Sequence, residues 1–510
     1  MSAHSRSGSD RFLRTDDVRE DLTGRTLRGG LVTIVSQALR FLISLAATVV
    51  LARLLTPRDY GLIGMIGAVI SFFSIFKDLG LDSAIIQREH ITGDQISTLF
   101  WINAGMGLVL ALVAVGIAPA VAWFYDEPSL TWVAAVSALP FLIGGTIVQH
   151  EALLRRQMRF ARLAAVEIIS LLVASTVSIF LAWHQASYWA LVFGQLAAAV
   201  TRTVGFWVSL DWRPRLRVRF SGMRSLLAFG GNLTGFAFVN YFARNLDNLL
   251  IGRYWGPYQL GLYSRAYQLL MLPMEQINGP ITAVAVPALS RLADSPDRYR
   301  QAYLRILEKV AMVTMPLMAL LVMTSDWTVE VILGPQWRAV SPIFALLGIV
   351  GIVQPIASTA GWLFITQGRA GDMFRWALLG GTLTIASIIV GLPWGALGVA
   401  ASYSLTGLFV VIPLLWWFVG RKGPVRMLDF YRTLGPSAAA VISIVTALFI
   451  FRRALSVSSS VLGLLAAAGI TTCLALLVLS AFRSGRAALR DVRASLSLLA
   501  RRQGAVQADS

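Results

Sequence analysis

The 510 residues hold one cysteine, Cys473, and four scattered histidines, His4, His90, His150 and His184. A lone thiol excludes an intramolecular disulfide and any cysteine-based metal site. No histidine stands in the H-E-x-x-H spacing of a helical zinc site, so no metal and no cofactor is expected. Charge is scarce too. Charged residues make up 14% of the chain, against roughly 25% in soluble proteins. So little charge cannot cover the surface of soluble domains of this size, which excludes a soluble enzyme.

Apolar residues fill the gap, at 56%, with a mean hydropathy of +0.68. They recur in stretches of about 20 residues, the length that crosses a bilayer core as a helix. The fold class is therefore an all-α polytopic membrane protein with about fourteen transmembrane helices. The spans fall near 29–52, 60–81, 98–124, 129–150, 163–183, 187–210, 225–252, 259–289, 304–324, 340–365, 374–393, 395–419, 433–451 and 456–482. The net charge of +18 does not point to nucleic acid. Its basic residues sit in short clusters between alternate apolar runs, the positive-inside pattern. Both termini are expected in the cytoplasm, as a polar tail over 1–28 without the features of a signal peptide and a basic tail over 483–510.

An internal repeat sets the organisation. Residues 51–62 read LARLLTPRDYGL and residues 251–262 read IGRYWGPYQLGL. At one offset Arg53 matches Arg253, Pro57 matches Pro257, Gly61 matches Gly261 and Leu62 matches Leu262, with Gly30 matching Gly230 upstream. Two six-helix lobes in parallel orientation follow, 29–210 and 225–419, joined by a basic cytoplasmic linker over 211–224. Two further helices lie in 420–482. Parallel repeats are a transporter architecture.

Charged and polar residues inside the spans are the candidates for chemistry, because a charge in hydrocarbon is costly and normally faces a cavity or a partner. Arg40 lies midway along the first span. Thr33, Gln37, Arg40, Ser44 and Thr48 form one stripe of that helix, either a lumen wall or a polar seam between helices. Asn240, Arg244 and Asp247 share a face of span 7, where Arg244 and Asp247 form a structural pair or an anion site with its gate. Arg265 sits among Tyr263, Tyr267 and Gln268, a wall suited to sugar or phosphate. Arg202 is close enough to the cytoplasmic face to snorkel. Glu167 and Glu275 are read as buried carboxylates able to couple transport to an ion, and Lys77 with Asp78 as a local pair or an inner gate. Pro273, Pro280 and Pro287, with Gly279 before the second, each interrupt the hydrogen bonding of span 8 and read as a hinge or a static kink. Gly61, Gly64 and Gly67 suit close helix packing.

Several stretches together resemble the Wzx-type lipid-linked oligosaccharide flippases, the polysaccharide-transporter branch of the MOP superfamily. They are LARLLTPRDYGLIGM, FKDLGLDSAIIQRE, TLFWINAG, NLDNLLIGRYWGPYQLGLYSRAYQLLMLPMEQINGP and VPALSRL. The likeness runs over roughly 25–450 and favours exporters of colanic-acid, teichuronic-acid or succinoglycan type. It implies twelve core helices plus two, and a substrate built of an oligosaccharide on undecaprenyl pyrophosphate. It also implies a bacterial inner-membrane location, and a polysaccharide polymerase and a chain-length regulator as partners. It further implies a cationic cavity, to which Arg40, Arg244 and Arg265 would contribute. The competing readings are a multidrug exporter of the same superfamily and a membrane polymerase or ligase. The longest outer loop, 325–339, leaves no room for an outer catalytic domain and argues against the latter.

Overall fold

The computed structural model describes residues 22–77, 92–216, 224–455, 459–482 and 485–486. Side chains are described for these except at 22–29, 31, 77, 224–240 and 242–244. Asp78, and the side chains of Lys77, Asn240 and Arg244, therefore lie outside the described residues. Among the described residues the chain is helical and has no strand. Nine helices among the described residues are long and apolar enough to cross a membrane, or up to eleven if each of two bent pairs is one span.

The chain divides into two compact units, Met1–Gly261 and Leu262–Ser510. In the first, α1 (Leu22–Leu54) leads through a two-residue break to α2 (Pro57–Lys77). Then come α3 (Gly93–Tyr125), α4 (Leu130–Ser137), α5 (Leu139–Gly144), α6 (Val148–Arg156), α7 (Phe160–Trp183) and α8 (Trp189–Ser209). Local chemistry explains the ends. Thr92 and Gln95 form a reciprocal capping box at the start of α3. At α2 the Asp59 carboxylate accepts from the Thr56 amide at 2.8 Å and hydroxyl at 2.7 Å, so Thr-x-x-Asp closes that end in the same way. Pro57 stands at the start of α2, where its missing N–H costs nothing.

Next, α9 (Arg224–Ser290) is one long element that leaves helical geometry at Gly256 (φ 76°, ψ −179°). It runs through Pro273, Pro280 and Pro287 without such a departure. The sharp break thus sits between expected spans 7 and 8, where a glycine tolerates positive φ, and not at the prolines. Up to Gly261 this helix belongs to the first unit, for a packing reason. The Tyr241 hydroxyl donates to the Ala68 carbonyl, and Gly252 lies against Tyr125 and Met65. Gly61 abuts the backbone of Pro257, and Gly261 abuts the backbone of Pro57. The two copies of the repeated Pro-x-x-x-Gly thus meet reciprocally, and a side chain at either glycine would overlap a carbonyl. Gly67, by contrast, faces open space.

The second unit continues with α10 (Pro296–Met323), α11 (Ser325–Ile332), α12 (Val340–Gly351), α13 (Gln354–Ser358), α14 (Ala360–Thr366) and α15 (Ala370–Gly391). It ends with α16 (Gly395–Thr406), α17 (Ile412–Gly420), α18 (Met427–Ala454) and α19 (Ser460–Ala481). Its core joins Tyr303, Leu363, Trp416 and Phe430, with Trp416 stacked on Phe430 at 5.1 Å. Buried hydroxyls pair off, Tyr303 with Thr359 at 2.7 Å and Tyr299 with Thr366 at 2.5 Å. Both α18 and α19 pack on α10. Arg452 of α18 donates to both Asp326 oxygens at 2.8 and 2.6 Å and lies over the Trp327 ring at 4.7 Å.

Candidate functional site

The first unit gathers ion pairs from four helices. Glu167, two turns into α7, lies 3.8 Å from Arg40 of α1 and accepts from Arg202 of α8 at 2.5 Å. Arg202 also lies 3.8 Å from Glu151 of α6, which accepts from Arg155 at 2.6 Å. Two carboxylates thus bridge three guanidinium groups, leaving one positive charge in excess. The side chains are neither buried nor free in solvent: Arg40 is 42% exposed, Arg202 37%, Glu167 26% and Glu151 23%.

This corrects the expectation for Arg202. It does not reach for the membrane face alone, because Glu167 on the neighbouring helix offers a closer charge. It also brings in Glu151 and Arg155, which sequence reasoning missed. Their signal was faint, a Glu–Arg pair one turn apart at a helix end. The stripe on α1 faces away from the packed interior: Thr33 and Ser44 are exposed and Gln37 is half-buried.

The other candidates are scattered. Asp247 is buried and accepts from the Asn248 amide at 2.8 Å. Its proposed partner Arg244, and Asn240 beside it, lie outside the described side chains. In the second unit Arg265 donates to Gln268 at 2.5 Å. Tyr263 is 1% exposed, its ring stacked on Tyr267 at 6.4 Å. Tyr263 is therefore core, with no face to present to a ligand in this conformation. Glu275 is exposed rather than buried, because its neighbour Met274 takes the inward face of the helix. Gly279, Pro280 and Pro287 are exposed as well.

A second polar feature, absent from the sequence reading, is a cleft of about 560 Å³ beside the α1–α2 turn, lined among others by Arg58, Asp59, Glu127, Ser187 and Tyr188. Arg58 donates to Glu127 at 2.7 Å, and Ser187 donates to Asp59. Its carboxylates are thus already engaged. Among the described residues no group of three histidine, cysteine, aspartate or glutamate side chains is placed to hold a metal.

The teichuronic acid biosynthesis protein TuaB of Bacillus subtilis (strain 168) is 28% identical over 402 residues, 78% of this chain and 82% of that protein. The lipopolysaccharide biosynthesis protein WzxC of Escherichia coli (strain K12) is 25% identical over 408 residues, 79% of this chain and 82% of that one. Among solved structures, the lipid II flippase MurJ in an inward closed conformation superposes with a TM-score of 0.71. It covers 89% of this chain and 98% of its own at 14% identity, a likeness of fold. The model of the family described as polysaccharide biosynthesis protein matches residues 50–342, more than half of the chain, and this protein belongs to that family.

Proposed function

We propose that the protein is a flippase. It carries an oligosaccharide repeat unit, linked to undecaprenyl pyrophosphate, from the cytoplasmic to the periplasmic leaflet of a bacterial inner membrane. The reading includes fourteen spans in two six-helix repeats with both termini cytoplasmic. Two expected spans then meet within the apolar stretch Ala370–Gly420, and α9 supplies two more that are too polar to stand out. A polymerase and a chain-length regulator would take the product.

The observation that carries the mechanism is the Arg40–Glu167–Arg202–Glu151 network. A charge near the bilayer centre costs roughly 3 kcal/mol on insertion scales, so Arg40, midway along an apolar helix, calls for a purpose. Arg40 is the loosest member, 3.8 Å from Glu167, while Arg202 holds the same carboxylate at 2.5 Å. A pyrophosphate is a stronger, bidentate acceptor for guanidinium. It can draw Arg40 away while Arg202 keeps Glu167 neutralised. Glu167 then recaptures Arg40 when the anion leaves, so binding stays reversible. Arg244 and Arg265 are proposed as further cations, Asp247 and Glu275 as groups able to respond to a coupling ion, Lys77 with Asp78 as an inner gate, and Gly279 with its flanking prolines as a compliant segment.

The test is depletion of the protein in its host, with undecaprenyl-linked oligosaccharides assigned to each leaflet. Completed units trapped on the cytoplasmic side support the reading, and their mass identifies the glycan. Accumulation outside would mean a polymerase or ligase instead. Arg40→Ala should reproduce the trapping, with Arg40→Lys restoring it in part. Full transport in Arg40→Ala would remove this arginine from the mechanism.

A further inference from the structure

Two bent helices recur along the chain. The limbs Leu130–Gly144 and Val148–Arg156 meet at 45°, and Val340–Gly351 and Gln354–Thr366 meet at 48°. A break in a spanning helix frees backbone carbonyls, which is tolerated where something else engages them. At the first bend the turn bonds run from Gly145 N to Phe141, Thr146 N to Ile143 and Ile147 N to Gly144. The Gly145 carbonyl accepts no backbone hydrogen bond among these.

Beside this bend lie Asn103 and Gln149. Each is 0% exposed, and in neither does the carboxamide oxygen or nitrogen have a hydrogen-bond partner. The first limb runs antiparallel to α3, since Gly107 abuts Phe141 and Gly145 abuts the Asn103 carbonyl, and the limb that carries Gln149 continues it at a 45° bend. Helical side chains lean toward their own N-terminus. Asn103 therefore leans toward the level of Gln149, and Gln149 toward the level of Asn103. At the second bend the carboxamides are half-buried and their nitrogens are engaged, Gln354 Nε2 donating to the Tyr403 hydroxyl at 3.5 Å. Gln354 opens the second limb of its bend with an unpaired Oε1, and Asn278 donates to Ser358 at 3.1 Å while its own Oδ1 is unpaired. A glutamine just past the break recurs in both units, while the asparagines come from helices that do not correspond, α3 in the first and α9 in the second. Interrupted helices at corresponding positions of two repeats are where transporters coordinate ions.

We propose that the first bend binds a monovalent metal cation, held by the carboxamide oxygens of Asn103 and Gln149 and the carbonyl of Gly145. The donors are hard neutral oxygens, which suit sodium or potassium, whereas calcium and magnesium sites recruit carboxylates. The binding stands on the geometry alone, and its role rests on the transporter reading. A cation here draws the two limbs and α3 together and so sets the bend. Glu151 lies on the same limb as Gln149 and holds Arg155 and Arg202. Occupancy at the bend is thereby coupled to the charged network.

The experiment is thermal unfolding of the purified full-length protein in detergent. NaCl or KCl is titrated against choline chloride at constant ionic strength. A saturable rise in Tm with sodium or potassium over choline is expected. Asn103→Leu and Gln149→Leu should each raise the half-saturating concentration at least tenfold. Asn103→Asp adds an anionic donor and should lower it, which keeps the test decisive if a leucine variant fails to fold. Equal Tm in all three salts overturns the proposal, and so does an unchanged response in the variants. A leucine variant that is more stable in every salt would reveal a merely unpaired polar pair, which also overturns it. Glycan transport that persists in cells while no cation binds would leave the flippase reading standing and this inference refuted.

Discussion

Two glycines on one helix should respond to alanine in opposite directions. At Gly61 a new Cβ would fall on the carbonyl, C and Cα atoms of Pro257. The obstacle is backbone held on both sides, since Gly261 is packed in turn on the Pro57 carbonyl. No side chain can rotate away, so the helices must part. Overpacking typically costs about 1–3 kcal/mol, and a backbone obstacle places Gly61→Ala at or above the top of that range. Gly67, six residues on, has nothing within 4 Å of its Cβ position. There the reduced freedom of alanine dominates, and Gly67→Ala should stabilise the helix by about 1 kcal/mol. Thermal unfolding of the detergent-solubilised protein, followed by loss of the monodisperse peak, reads both signs in one assay. A Gly61→Ala protein as stable as the parent would show that the reciprocal glycine–proline contact is not close-packed, and the reasoning would fail.

Gly256→Ala isolates backbone strain from crowding, because the site has φ 76° yet open space around it. A loss of about 1–3 kcal/mol is expected from the conformation alone, and a neutral effect in the same assay would contradict it. At Asp326, burial works to raise the carboxyl, and the hydrogen bonds and charge of Arg452 overcome it, leaving it below the usual carboxylate range. A group depressed in the folded state contributes stability above its unfolded pKa of about 3.9 and loses it as pH falls through the folded value. Asp326 is 46% exposed, so the pair is screened and worth about 1 kcal/mol at most. Asp326→Asn should therefore unfold at lower temperature than the parent at pH 7, with the gap closing below about pH 4. A gap that persists at low pH would point to packing rather than charge.

The membrane class, the helical content and the internal repeat were legible in the amino-acid order because each is a local or periodic property. A run of apolar residues reads as a span without reference to neighbours, and Pro57 with Gly61 reads against Pro257 with Gly261 at a single offset. Thr56 and Asp59 likewise announce the start of α2 within four residues. Arg40 stood out by its depth in an apolar run.

Its partners did not, because pairing depends on which helices abut. Glu167 and Arg202 lie 35 residues apart in the chain, and only the packing of α7 on α8 joins them. The same limit explains Tyr263 and Glu275. A residue's face on a helix follows from period, but which face turns inward is set by the neighbours, so a tyrosine expected at a wall is core and a carboxylate expected in the core is exposed. Asn103 and Gln149 are the sharpest case. Each is an ordinary polar residue in its own segment, and their joint burial beside a bend exists only once α3 lies against α5 and α6. Composition and spacing settle what a segment can be, since those energies are local to it. Which charges meet and which polar groups are sealed from water is a property of contacts between segments, which the chain acquires on folding.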